Sequence, residues 1–454
     1  MIHSSLFISS FRKKKRIVRY IAEAAGIIIL FLMLCKLLNH VYARAERNTE
    51  WSRRVWHDFY AQEDKIDHLF VGSSHVYWDI NAPMLDEING ENNFNLSNSG
   101  QELNGSYYSI KEANRTHEIT NIYFELYYAV SCGMKLKSSS NETASWRIID
   151  CMKPSLNKVE FTGASVRKNM LLDTVFPFVR YREKLFSLSY IEENLKRKSS
   201  DDYKNFRYLV EDEGVRVTFQ DKGFSYSTKR FVERELMFKK TISMDGDWEC
   251  TAESDEYIRK IIEYCQNENI NITLFISPIY ESQLLSTEDY DAYVRYIREI
   301  AKEYDVPFYD FNLCRPEHLD MRSRDYYQDH GHLNLSGANL YTEFLWKVLS
   351  APEEENAKYF YDTYSEKLAL QEPEIFGLYY SEEEECLNLS VASNRVNGME
   401  YRISVIPEGG SERCIQEYSE NKDFLLPKQE HGIVVLEARA AEKPQEVQTL
   451  RIAY

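Results

Sequence analysis

Among the eight cysteines, Cys35, Cys132, Cys151, Cys250, Cys265, Cys314, Cys386 and Cys414, there is no CxxC pair and no zinc-finger spacing. A clustered metal centre and a bound cofactor are therefore not expected. Internal repeats are missing, and the only biased tract, residues 382–385, reads as a solvated run of Glu. Beyond the N-terminus, positive charge is also outnumbered by negative. Residues 1–47 hold nine Lys/Arg against Glu23 and Glu46, a local charge of +7, so the remaining chain carries −24 of the total −17. A body this acidic repels phosphate backbones, which argues against nucleic acid as a partner. Cys386 with Cys414 and Cys132 with Cys151 are candidate disulfides in an oxidising compartment, and equally candidate buried thiols. Tyrosine is abundant at 33 of 454 residues, a pattern that suits stacking on sugars or half-buried packing in a sheet.

Only one long apolar run is present. Arg12, Lys13, Lys14, Lys15, Arg16 and Arg19 precede twelve uninterrupted apolar residues, 24–35, extended by Leu37, Leu38, Val41 and Tyr42. Basic before apolar predicts a single-pass segment with its N-terminus inside and the body outside. Twelve residues fall short of the roughly 20 needed to span hydrocarbon, but Arg19 and Lys36 can snorkel from its ends. A cleaved signal peptide is the rival reading, because Ala43-Arg44-Ala45 has the small-x-small form. Either reading exports the rest, and because Lys36 interrupts the apolar stretch before that site a retained anchor is favoured, which places the chain at the cell membrane with its body extracytoplasmic.

The length suggests two folding units after this anchor. Residues 1–47 form the basic segment and anchor, 48–350 an α/β domain with a helical insertion at about 131–250, 351–372 a linker, and 373–454 an Ig-like β-sandwich. In the α/β domain, strand-like runs at 66–71, 94–96, 122–128, 272–276 and 306–311 alternate with helical patterns. Tyr257, Ile261, Ile262 and Cys265 mark one helix face, and Tyr293, Ile297, Ile300 and Tyr304 another. That rhythm predicts a parallel sheet covered by helices on both faces. After residue 372, alternation at Leu387, Leu389 and Val391 and at Met399, Tyr401, Ile403 and Val405 predicts two strands joined by an Asn397-Gly398 turn. Residues 433–436 and 447–452 continue the pattern.

The chemistry-bearing residues fall at strand ends. Phe70-Val71-Gly72-Ser73-Ser74-His75 runs from the first strand into a turn, and ligands of open α/β sheets bind at the carboxyl ends of strands. Gly72 is expected to let the backbone bend, lifting a Ser hydroxyl above the sheet near helix amides that stabilise an oxyanion. By itself Gly-Ser-Ser is an ordinary turn. After the fifth strand, Gln328-Asp329-His330-Gly331-His332 places a carboxylate three residues from an imidazole, a spacing that lets Asp329 accept the Nδ1 proton of His332 and leave Nε2 as a base. A local cap by Asp329 and a metal site built on His330, His332 and Asp329 are the competing readings.

A Ser after the first strand and an Asp-x-x-His after the last resemble the SGNH (GDSL-like) hydrolase superfamily. Gly72-Ser73-Ser74 resembles its Gly-Asp-Ser block with Ser73 in place of the acid, and Asp329 with His332 matches its last block. The resemblance implies a flavodoxin-like three-layer α/β fold, with Ser74, His332 and Asp329 as the catalytic residues. Asn95-Leu96-Ser97-Asn98-Ser99-Gly100-Gln101 resembles the second block, which implies an oxyanion hole from the amides of Ser74 and Gly100, aided by Asn98. The third block departs: Gly-x-Asn-Asp is replaced by Phe124-Glu125-Leu126-Tyr127-Tyr128, so the usual Asn donor is missing. Asn98, Asn104 or a residue of the insertion is a candidate replacement, and His75, Glu125 and Tyr127 are candidate substrate contacts.

Anchored members, the DltD-like and AlgJ–AlgX-like branch, are similar in joining an exported domain to envelope polymers. That implies an extracytoplasmic serine esterase or O-acyltransferase acting on acyl esters of an envelope glycan or teichoic-acid-like polymer, with a membrane-bound O-acyltransferase as a possible partner. The alternative is a catalytically silent scaffold of the same shape that binds a glycan or such a partner, an idea favoured by the missing Asn and opposed by the retained Ser, His and Asp.

Overall fold

The computed structural model describes residues 3–44, 47–63, 65–207, 209–239, 250–287, 289–395 and 397–454. The first element is a helix, His3–Tyr42. Its segment Val18–Tyr42, 25 residues, is long and apolar enough to cross a membrane. The span outruns residues 24–35 because Val18, Tyr20 and Ile21 extend the apolar surface past Glu23, whose carboxylate pairs with Arg19 one turn away.

The chain then forms β1 (Lys65–Gly72), β2 (Asn93–Ser97) and β3 (Glu118–Glu125), leaves the sheet through β4 (Leu209–Asp212), β5 (Val215–Phe219), β6 (Ser225–Ser227) and β7 (Met237–Lys239), and returns with β8 (Asn271–Ile276) and β9 (Phe308–Asp310). The order β2-β1-β3-β8-β9 makes one five-stranded sheet, parallel throughout. Side chains alternate between its faces as strand geometry requires. Leu69, Val71, Ile122, Phe124 and Leu274 enter one core, shared with the helices Arg47–Tyr60, Leu103–Thr116, Ala252–Asn267 and Tyr290–Glu303. Phe70, Tyr123 and Phe275 enter a second core, which also takes Ala338, Tyr341, Leu345 and Val348 from the helix Leu335–Leu349. Both faces are covered, so the strands are largely buried on each side, with β2 polar on one of them through the buried Asn93, Asn95 and Ser97.

Three expectations change in this part of the chain. β3 starts at Glu118 and ends at Glu125; residues 126–128 leave the sheet, with Tyr127 opening the short helix Tyr128–Ser131. The insertion is not purely helical, since β4, β5 and β6 form an antiparallel sheet and part of the segment, 240–249, lies outside the described residues. Residues 351–372 are not a free linker, because Lys367 on the helix Tyr364–Leu370 is buried and donates to Glu281 Oε2 at 2.8 Å and to Asn312 O at 2.9 Å. Of the two readings open for the cysteines, the structure has free thiols at Cys132, Cys151, Cys386 and Cys414, buried at Cys132 and exposed at Cys414.

The C-terminal strands are β10 (Ile375–Glu382), β11 (Cys386–Ser393), β12 (Met399–Pro407), β13 (Arg413–Ser419), β14 (Asp423–Pro427), β15 (Gly432–Ala440) and β16 (Val447–Ala453). They form two four-stranded sheets, β14-β11-β10-β7 and β13-β12-β15-β16. β11 and β12 thus belong to different sheets, and Asn397-Gly398 is a crossing between sheets rather than a hairpin turn. β7 comes from the insertion and pairs in parallel with β10. Gly377 makes this approach possible: at φ +147° it lies where a Cβ would sit 2.2 Å from Leu236 O. The second core runs without a break into both small sheets through Leu378, Leu389, Ile403 and Leu436.

Candidate active site

β1 lies between β2 and β3, and its last residue, Gly72, is in register with Ser97. Gly72 is needed for closeness rather than for a bend, since its φ is not in the left-handed region. A Cβ there would fall 2.6 Å from Glu125 Cβ and 2.8 Å from Glu125 Oε2. Ser73 continues extended at φ −88°, and Ser74 opens the helix Ser74–Asp79. Ser74 therefore stands at the carboxyl edge of the sheet, at the first residue of a helix, where a backbone N–H has no partner within the helix.

The other half arrives on the loop after β9. Tyr327 bridges to Leu333, Gln328 N donates to His332 O at 3.0 Å, and Asn334 Oδ1 caps the following helix by accepting from Ser336 N and Gly337 N. Within this tight loop Asp329 Oδ1 accepts from Gly331 N and His332 N, both at 2.9 Å. The same oxygen lies 2.9 Å from His332 Nδ1. On the far side of the ring His332 Nε2 lies 2.8 Å from Ser74 Oγ. A carboxylate, an imidazole and a hydroxyl, two of them 258 positions apart in sequence, thus form one hydrogen-bonded chain, and all three are partly accessible. Burial tends to raise the Asp329 carboxyl, but the charge and hydrogen bond of His332 and the Gly331 amide hold it well below the ordinary range.

Beneath this chain is a second polar group. Ser73 Oγ donates to Glu125 Oε2 at 3.0 Å and lies 3.1 Å from His75 Nδ1; Ser73 N donates to the same carboxylate oxygen at 3.2 Å. With its hydrogen directed to Glu125, the hydroxyl accepts from His75 Nδ1–H. Burial holds the His75 imidazole neutral, well below its usual value, and pushes the Glu125 carboxyl up to about 7. The His75 ring stacks on His332 with centroids 4.9 Å apart and meets the ring of half-buried Tyr127 at 4.1 Å. His75 and Glu125 are buried, so of the three candidate substrate contacts only Tyr127 reaches the surface. The Glu125 carboxylate is held instead by hydrogen bonds from Ser73 and from the backbone of Tyr127.

Asp79 is a residue that the sequence did not single out. Its Oδ1 accepts from Leu333 N at 2.9 Å, tying the helix that begins at Ser74 to the loop that carries His332. Fully buried, its carboxyl is raised well above the ordinary range. No motif marks it; only its fixed offset from Ser74 on a short helix hints at such a role.

The remaining candidates divide. Gly100 takes φ +61° and borders a cavity of about 460 Å³ with Glu102, Met134 and Arg147; Arg147 Nη1 also donates to Ser99 O. The buried Asn98 donates to Gln101 Oε1 at 3.1 Å. Asn104 is committed to the insertion, donating to Ser165 Oγ at 2.8 Å. His330 turns toward the Phe238 ring, and no group of three or more His, Cys, Asp or Glu able to hold a metal occurs among the described residues. Compared with known protein families and with curated proteins, the chain matches none.

Proposed function

We propose that the chain is an extracytoplasmic serine esterase or O-acyltransferase of the SGNH type, held to the membrane by its N-terminal helix and acting on acyl esters of an envelope polysaccharide. The observation that carries this reading is the 2.8 Å approach of His332 Nε2 to Ser74 Oγ, with Asp329 2.9 Å behind Nδ1. The strand order supports it too, because a parallel sheet ordered 2-1-3-4-5 is the flavodoxin-like arrangement with its ligand site at the carboxyl edge. The two small sheets sharing one core suit an Ig-like β-sandwich.

In this mechanism Ser74 Oγ attacks the ester carbonyl carbon while its proton passes to His332 Nε2, and Asp329 stabilises the imidazolium. Negative charge collects on the carbonyl oxygen, where the Ser74 amide at the helix start and the Gly100 amide donate. His332 returns the proton to the leaving alcohol, giving an acyl-Ser74 ester. Water or a sugar hydroxyl, deprotonated by the same imidazole, then attacks the acyl carbon, the bond to Ser74 Oγ breaks, and His332 returns the proton to Ser74. The cavity beside Gly100, lined by Glu102, Ser140, Thr143 and Arg147 together with Val130 and Met134, suits an acceptor that carries hydroxyls on an apolar ring. Turnover of an aryl acetate by the full chain, lost on Ser74→Ala, is the expected result; an unchanged rate in that variant would refute the assignment.

A specific observation favours a second reading, the silent scaffold. No Asn occurs in the segment 124–128 that stands in place of the family's third block, and Asn98 and Asn104 donate elsewhere; one missing donor costs about two to three powers of ten in rate. Glycan binding that survives alanine at Ser74 and His332, without turnover in the parent chain, would decide for it.

A further inference from the structure

The short helix Leu171–Val175 of the insertion is inside out. Asp173 and Thr174 are buried, whereas Leu172 and Val175 are 65% and 62% exposed. The polar pair is satisfied from within: Asp173 Oδ1 accepts from Arg182 Nη1 at 2.7 Å, and Thr174 Oγ1 accepts from Trp146 Nε1 at 2.7 Å while donating to Met170 O. A helix facing water places these residues the other way round. Polar groups turned inward and bonded, with apolar groups outward, is the arrangement required in hydrocarbon.

Contacts with the N-terminal helix fix the height of this segment. The Phe176 ring packs edge-on against Phe31 with centroids 5.7 Å apart, and Phe178 N donates to Asn39 Oδ1 at 2.9 Å. At a rise of about 1.5 Å per residue, the 25-residue span is about 37 Å long against a hydrocarbon thickness of about 30 Å. Any placement of that slab along the span leaves Phe31 at least about 10 Å inside its outer boundary, so Phe176 lies within the slab as well. Further along, Tyr42 OH donates to Leu185 O and Tyr190 OH donates to Tyr42 O at 2.8 Å, which puts residues 185–190 level with the end of the span. There Phe186 is 96% and Leu188 80% exposed, next to the exposed cations Arg182 and Lys184. Lys198 Nζ closes the junction by donating to His40 O at 2.8 Å and to Ala43 O.

We propose that residues 171–188 are a second membrane-contacting element, with Leu172, Val175 and Phe176 among the acyl chains of the outer leaflet and Phe186 and Leu188 at the headgroup boundary. This rests on the reading that the N-terminal helix spans the bilayer. The occupant is lipid rather than a protein partner because the apolar face is continuous with the span and lies at its depth. The consequence is a catalytic domain held at a fixed height and tilt, instead of swinging on a tether.

The test uses the full chain in liposomes of phosphatidylcholine and phosphatidylglycerol, with a phospholipid carrying a diazirine in its acyl chain. After illumination, adducts are mapped by mass spectrometry. Adducts on residues 171–188 as well as in the N-terminal helix are expected, with a several-fold loss at 171–176 in the Leu172→Gln, Val175→Gln double variant while those in the helix persist. Adducts confined to the N-terminal helix would overturn the proposal and leave the anchor intact. Adducts in neither region would overturn both. Because the parent chain alone decides among these results, failure of the variant to fold does not protect the proposal.

Discussion

Two neighbouring groups at the edge of the parallel sheet use the same three residue types in different order. In the upper one the imidazole stands in the middle, Ser74–His332–Asp329; in the lower one the hydroxyl does, with Ser73 between His75 and Glu125. The order decides what each can do. A central imidazole with a carboxylate on Nδ1 and a hydroxyl on Nε2 takes a proton from one side while its charge is stabilised from the other. A central hydroxyl has its hydrogen committed to Glu125 and a lone pair to His75, so it acts as a clamp. Solvent access divides them in the same way: the upper group is partly exposed with its carboxylate held charged, and the lower is buried with its carboxyl pushed up to about 7.

The largest expected effect separates the two serines. Ser74→Ala should lower aryl acetate turnover by about 10⁵- to 10⁶-fold, as removal of a nucleophile does, whereas Ser73→Ala should stay within about tenfold of the parent, since its hydroxyl does not face substrate. Asp329→Asn should cost about 10⁴-fold in kcat by favouring the wrong imidazole tautomer, with KM nearly unchanged; steady-state kinetics check both. Asp79→Ala tests the tie between the two halves of the site. It leaves Leu333 N buried without its acceptor, a loss of about 1–3 kcal/mol in denaturant unfolding, and a fall in kcat larger than the change in KM would show that the tie positions His332.

The smallest effect concerns the lower carboxyl. Its folded-state value lies above the ordinary 4.5, so the folded chain binds the extra proton between pH 4.5 and 7, and stability falls as pH rises through that window and levels off above it. Glu125→Gln removes the cost of charging this buried group. The variant should match the parent at pH 4.5 and exceed it at pH 8 by on the order of 2–3 kcal/mol, read as a Tm difference. Equal pH dependence in the two would show that Glu125 does not titrate in this range.

The upper group was legible in the sequence because its parts sit in short, dense strings: Gly72-Ser73-Ser74 after an apolar run, and Asp329 three residues from His332. The lower group was not. Glu125 is 52 positions from Ser73, and an acid at the end of an apolar strand looks the same whether it faces a cleft or a serine beneath it. Residues 126–128 look like strand because Leu, Tyr and Tyr continue the apolar run, yet Tyr127 packs on the ring of His75 and Tyr128 on those of Tyr290 and Tyr293, all carried by helices. In the C-terminal region alternation located β11, β12, β15 and β16 but not their partners, since a period of two reveals a face and not a neighbour. β7, three residues contributed from the insertion, carries no periodic signal at all.

The most direct measurement is the mass-spectrometric site of a fluorophosphonate adduct on the intact chain. One adduct is expected, on Ser74, abolished by His332→Ala. An adduct on Ser73, or a folded chain that takes up none while binding glycan, would contradict it.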